Sequence, residues 1–196
     1  MVGQKKIVAH ASLCGANMMW GLLSPVAKIV LAGGLISPFL LTTIRSAGAM
    51  ALFWILSFFL PKERLTKSDL LKLFGAAMLA IIFNQGCFIV GVSLTSPVDA
   101  SIITTSAPLI TLLISALVLN ESITSMKLLG IAAGASGAIL LVAFGHNAAS
   151  GASGSNVWGD ILVLIAQLSY SLYMVLFRDF IRKHGIVTLM KWMFTF

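Results

Sequence analysis

Apolar residues run along this chain in blocks of about twenty, separated by short polar breaks. As a helix, a block of that length crosses the ~30 Å hydrocarbon core of a bilayer. The blocks predict six spans, at 7–31, 38–60, 70–92, 97–119, 125–144 and 157–177. A seventh apolar run starts near Ile186. The breaks between them carry turn and helix-start residues: AGGLISP, PKERLTKSD with a helix start at Ser68–Asp69, SLTSP, NESIT and the Gly/Ser/Ala-rich GHNAASGASGSN. Short alternating segments of the kind that build a β-barrel do not occur. The expected fold is all-α, a polytopic integral membrane helical bundle. The eleven residues from Ile186 to Phe196 would cover only ~16 Å as helix, about half of the core. That seventh span is therefore expected to be incomplete, in a fragment of a longer protein, with a peripheral last segment as the alternative.

Composition supports the pattern. Of 196 residues, 59% are hydrophobic and 10% charged, against ~25% charged in a soluble domain. The net charge of +7 does not point to nucleic acid, because the basic residues sit in clusters between apolar runs. Ten of the thirteen Lys and Arg fall on one side of the predicted topology: Lys5, Lys6, Lys62, Arg64, Lys67, Lys72, Lys127, Arg178, Arg182 and Lys183. That asymmetry predicts a cytoplasmic N-terminus and an external linker. The apolar run after Lys5 and Lys6 continues past Cys14 without a small-residue cleavage site, so the first span is expected to be retained rather than cleaved. Cys14 and Cys87 both lie inside spans and are expected as buried free thiols, with no disulfide, no metal site and no cofactor.

The first and sixth spans share a pattern. At an offset of 150, Ala16 meets Ala166, Asn17 meets Gln167, Trp20 meets Tyr170, Leu22 meets Leu172, and Lys28 meets Arg178. The second copy follows five spans. Five is odd, so it would enter the membrane upside down, the arrangement behind alternating access in many carriers.

The stretches ANMMWGLLSPVAKIVL, TTIRSAGAMALF and LTSPVDASIITTSAPLITLLISALVLNESITSMKLLGIAAGASGAILLVAFG resemble the EamA-type family of the drug/metabolite transporter superfamily. The third is the most specific, with its small-polar entry, Ala-Pro at mid-helix, acidic residue at the turn and Leu/Gly-rich exit. The resemblance implies two five-helix repeats, a bacterial inner (plasma) membrane location, and carriage of small metabolites, commonly outward. Residues 1–145 would be the first repeat, 146–156 an external linker, and 157–196 the start of the second.

Candidate chemistry lies inside the spans. Arg45 sits seven residues into the second span, where a lone guanidinium costs at least ~2.5–3.5 kcal/mol. It either snorkels as an anchor or faces a wet cavity and holds an anionic group. Asn17, Trp20, Asn84, Gln85, Thr104 and Thr105 complete the expected substrate set, and Gln167 lies at a similar depth. Amides and hydroxyls at such depths are interhelical glue singly but together suggest a polar seam. Lys28 is an interfacial anchor or a cation at the cavity mouth. Asp99 and Asp160 complement helix N-termini, with proton coupling as the alternative, and Glu121 is read as a turn residue. Pro25 and Pro108 are static kinks or hinges. Gly130, Gly134 and Gly137 form a small face for close packing, on the fourth span or a second protomer.

No catalytic set is visible: the histidines are scattered, and HExxH, GxSxG and a phosphate-binding Gly loop are missing. The expected function is a secondary transporter, not an enzyme, moving a small polar metabolite or drug-like solute outward by alternating access. The expected partners are that solute and the lipid bilayer, with a second copy in a homodimer as an option, and not nucleic acid. The alternatives are a half-size homodimeric transporter and a non-transporting scaffold.

Overall fold

The computed structural model describes residues 2–61, 63–119, 124–126, 129–130, 132–134, 136–137 and 156–196. Its elements are α1 (Val2–Ala32), α2 (Pro38–Ser57), α3 (Lys67–Ala77), a π-helical segment (Met78–Gly86), α4 (Cys87–Leu94), α5 (Pro97–Thr105), α6 (Ala107–Val118), α7 (Val157–Leu176), α8 (Arg178–Lys183) and α9 (Ile186–Met193). No strand occurs among the described residues. Five stretches are long and apolar enough to cross a membrane: Ile7–Ala32, Pro38–Ser57, Lys67–Leu94, Pro97–Val118 and Val157–Leu176. The chain is an all-α polytopic membrane protein. Most of the expected fifth span, Glu121, and the linker up to residue 155 lie outside the described residues.

The helix starts follow from local chemistry. At Ser37 and Ser96 the hydroxyl accepts an N–H three residues on, from Leu40 at 3.2 Å and Asp99 at 3.0 Å. In both cases proline follows, where its missing donor is no loss. The third span begins at Thr66, two residues before the expected Ser68. The reason is a capping box: Thr66 Oγ1 accepts the Asp69 N–H at 3.2 Å, and Asp69 Oδ2 accepts the Thr66 N–H at 3.0 Å. α1 ends at a turn in which Gly34 takes φ 69°, a left-handed conformation that favours glycine.

Contacts at the two ends fix the topology. At one end Ser24 donates to Pro97 O at 3.3 Å, and the Asn156 N–H reaches Leu94 O at 3.3 Å. At the other, basic end, Glu63 accepts the Gly185 N–H at 2.9 Å, and Trp54 Nε1 donates to Thr195 Oγ1 at 3.0 Å. The first four described spans alternate in direction. α7 runs antiparallel to the 67–94 stretch and parallel to α5 and α6.

α7 is the hub. It packs against α4, α5, α6 and the π segment, and small residues make this possible. A Cβ on Gly91 would lie 2.8 Å from Gly159 O, and one on Gly159 would lie 2.7 Å from Thr95 N. α4 and α7 therefore cross backbone to backbone. α2, in contrast, has no buried residue. Two buried clusters flank the middle of the bundle. Leu73, Ala77, Tyr173, Leu189 and Met193 lie in the one towards the basic end. Phe88, Ile89, Val92, Val163 and Ala166 lie in the other.

Lys28 has a definite task. Its Nζ donates to Val92 O at 3.2 Å, Ser93 O at 3.0 Å and Thr95 O at 2.8 Å. These are carbonyls at the end of α4, which a cation complements both as donor and as charge. Lys28 thus caps α4, while also lining a small outer cavity with Leu31, Ile36 and Ser93. Lys28→Met should destabilise the protein by about 1–3 kcal/mol, the cost of leaving half-buried acceptors unpaired. Thermal unfolding in detergent checks this, and Lys28→Arg should recover part of the loss.

The acids near the same end are also locally engaged. Ser96 Oγ donates to Asp99 Oδ2 at 2.8 Å, and Thr95 Oγ1 donates to Asp160. The expectation that both cysteines are buried needs correction. Both are free thiols, but Cys14 is exposed on the outer face of α1 and Cys87 is half-buried.

Candidate functional site

Helix–helix packing in this bundle leaves a cavity of about 570 Å³ between the two buried clusters. α1 contributes Met19 and Trp20, and α2 contributes Arg45. The π segment and α4 bring Asn84, Gln85 and Phe88. α7 supplies Gln167, Tyr170, Tyr173 and Met174, and α9 closes one side with Leu189, Met190 and Met193.

The π segment shapes the site. Nine residues in i→i+5 register, Met78–Gly86, interrupt an otherwise α-helical span. Such segments are rare and concentrate at functional sites. The wider turn shifts the angular position of every later side chain, and it sets Asn84 and Gln85 on the cavity. Two cross-helix bonds lock it to α7. Asn84 Nδ2 donates to Ala166 O at 2.8 Å, and Ser169 Oγ donates to Leu79 O at 2.7 Å.

Two polar atoms in the wall are buried without a hydrogen-bond partner among the described residues, Nη1 of Arg45 and Oε1 of Gln167. Gln167 is 2% exposed. Native proteins pair more than nine in ten such atoms, so two in one cavity wall call for a reason. One is a charged donor and the other a neutral acceptor. The rest of the wall is aromatic and sulfur-rich. Trp20 and Tyr170, the residues matched at the 150 offset, face each other edge-on at 5.9 Å between ring centroids. Tyr170 and Tyr173 lie 6.1 Å apart. Among the described lining residues no Asp, Glu or Lys occurs.

The structure brings Arg45, Trp20, Asn84 and Gln85 to one cavity, with Gln167 beside them. It does not bring Asn17, Thr104 or Thr105 there. Asn17 is exposed, and its Nδ2 donates to Leu13 O of its own helix at 2.8 Å. Thr104 Oγ1 donates to Ala100 O at 2.7 Å, and Thr105 Oγ1 to Ile102 O at 2.6 Å. Each hydroxyl finds an acceptor one turn back. Pro25 lies within the unbroken α1. Pro108 is the second residue of α6, just past Ser106, where the fourth span breaks into two helices. A Cβ on Gly134 would meet Leu109 Cδ1 at 2.6 Å, whereas Gly130 and Gly137 have nothing within 4 Å among the described residues. The tyrosine and methionine walls were not expected, because such residues on apolar helices look the same whether they face lipid, core or cavity.

The match with known proteins covers most of the chain. The profile of the EamA-like transporter family matches residues 8–143. An uncharacterized transporter of Archaeoglobus fulgidus is 25% identical over 170 residues, 87% of this chain and 57% of that protein. The uncharacterized transporter YetK of Bacillus subtilis is 25% identical over 172 residues, 87% of this chain and 51% of its own. A second uncharacterized transporter of Archaeoglobus fulgidus is 28% identical over 191 residues, 97% of this chain and 55% of that protein. The chain thus spans a little over half the length of these relatives. No solved structure matches it.

Proposed function

The chain belongs to the EamA-like transporter family, and on that premise we propose that it serves secondary transport of a small solute, export rather than import, with the central cavity as the solute site. The observation that carries this reading is the coincidence of a cavity of about 570 Å³ with two buried, unpartnered polar atoms in its wall. A scaffold has no use for either. Its buried polar groups would pair with one another, and the space would fill with side chains.

Alternating access is the mechanism proposed. The cavity lies between two buried clusters, and loosening one or the other would turn it towards one side of the membrane. Three features suit such motion: the break at Ser106–Pro108 in the fourth span, the short α8–α9 connection at Gly185, and the 150-residue offset that matches Trp20 with Tyr170, whose rings touch edge-on in the cavity wall. The basic end is assigned to the cytoplasm, where Lys and Arg accumulate, in a bacterial inner membrane.

Counterflow in proteoliposomes tests the reading. Purified protein preloaded with unlabelled solute should accumulate the labelled form for a restricted set of compounds. Beside this, Asn84→Cys in a background lacking Cys14 and Cys87 should react with a membrane-impermeant thiol reagent. No counterflow over a broad panel, together with an unreactive Cys at position 84, would sink the proposal.

A further inference from the structure

The cavity wall also specifies a class of solute. We infer that the site takes an amphipathic monocarboxylate, an anionic head on an apolar, commonly aromatic body that carries one neutral N–H or O–H donor. This rests on the transport reading above.

Arg45 Nη1 is a buried donor with a permanent charge and no partner among the described residues. It calls for an anion, and a carboxylate matches the planar geometry of the guanidinium. Gln167 Oε1 is a buried acceptor without a partner, which calls for a donor on the same solute. No Asp or Glu lines the cavity among the described residues. An ammonium group would therefore be desolvated against a neutral acceptor alone, an unfavourable exchange. A neutral hydroxyl or ring N–H suits the same acceptor without that penalty. The body is chosen by the wall. The edge-on pair Trp20–Tyr170 and Tyr173 offer aromatic faces. Met19, Met174, Met190 and Met193 adapt to irregular apolar shapes and contact rings well.

Four compounds on one ring test the head group, and phenylacetate, a fifth, tests the ring donor; the four are 4-hydroxyphenylacetate, its neutral alcohol 4-hydroxyphenylethanol, its cationic analogue tyramine, and the zwitterion tyrosine. Binding to the purified protein is read by quenching of tryptophan fluorescence, and movement by counterflow. The carboxylate should bind at least tenfold tighter than each of the other three. Arg45→Gln should bring carboxylate and alcohol to within about twofold, and Gln167→Leu should reduce the preference for 4-hydroxyphenylacetate over phenylacetate. Thermal unfolding of each variant establishes that it is folded. Equal or tighter binding of tyramine or tyrosine overturns the carboxylate assignment and leaves transport standing if those compounds move. An unchanged head-group preference in Arg45→Gln removes Arg45 as its source and overturns the inference. If none of the four binds and no solute moves in the wider panel, the transport reading fails and the inference with it.

Discussion

Replacing Arg45 by methionine is expected to cut transport at sub-saturating solute by about 10- to 100-fold, while thermal stability stays equal or rises. The two halves of that expectation have one cause. Arg45 Nη1 is buried with no partner among the described residues, and a buried unsatisfied donor costs a protein about 1–3 kcal/mol. Methionine fills most of the same volume and removes the cost. What is lost is the charge-assisted bond to the solute, worth about 1.5–3 kcal/mol, which at 1.4 kcal/mol per decade gives the stated range. Function gained at the expense of stability is a common mark of a binding site. An arginine that only anchors α2 behaves in the opposite way: its loss impairs insertion and leaves the turnover of inserted protein unchanged. Initial rates in proteoliposomes, normalised to reconstituted protein, separate the two. Wild-type rates in Arg45→Met would return the residue to anchoring.

Much of the architecture could be read from hydropathy alone, because lipid removes alternatives. A backbone in hydrocarbon must satisfy its own hydrogen bonds, so a twenty-residue apolar block has little choice but helix. The expected starts at Pro38, Pro97 and Val157 coincide with the observed ones because Ser-Pro and Asn caps act over one turn. The π segment was not legible. Nothing in MLAIIFNQG announces an i→i+5 register, which arises where Asn84 and Ser169 bond across to the facing helices. The break at Ser106 is a similar case. Pro108 was visible as a disturbance, but whether a proline bends a helix or divides it depends on neighbouring helices that take up the freed groups.

The candidate site was legible where a residue type is costly in lipid, and not otherwise. Arg45, Asn84 and Gln85 stand out because each needs a partner or water. Thr104 and Thr105 looked equivalent and are not on the cavity, because a hydroxyl satisfies itself on the preceding turn and signals nothing about direction. Asn17 does the same with Leu13 O, even though its counterpart at the 150 offset, Gln167, is buried in the cavity wall. Depth could be estimated from rise per residue; facing could not. Glycine shows the limit most clearly. The small face of the fifth span stands out by its spacing, and of its three glycines Gly134 alone meets a neighbour, Leu109, among the described residues. Gly91 and Gly159 meet tightly although no local pattern links them, since their relation is a crossing between distant segments.

That crossing yields the second large effect. Gly159→Ala should destabilise the protein by about 3 kcal/mol, the upper end of the overpacking range. The added Cβ would stand 2.7 Å from Thr95 N, 2.9 Å from Gly91 O and 2.9 Å from Thr95 Cβ. Two of these are backbone atoms and the third is attached directly to it, so none can swing away; α4 and α7 must separate. Gly91→Ala should behave alike, with its Cβ 2.8 Å from Gly159 O. Gly134→Ala is a graded control, because the clash there is 2.6 Å from Leu109 Cδ1, the end of a side chain that can rotate, and the cost should stay below about 1 kcal/mol. Gly21→Ala has nothing within 4 Å among the described residues and should gain up to ~1 kcal/mol from helix propensity. Scanning fluorimetry of the four variants in one detergent gives the order. Separation at Gly159 also carries to the cavity, since Gln167 lies eight residues further along α7, about 12 Å, and Ala166 O holds Asn84. Gly159→Ala should therefore lose transport activity together with stability, unlike Arg45→Met. If Gly159→Ala melts with Gly21→Ala, α4 and α7 do not approach as closely as their backbones require, and the cavity they frame has a different wall.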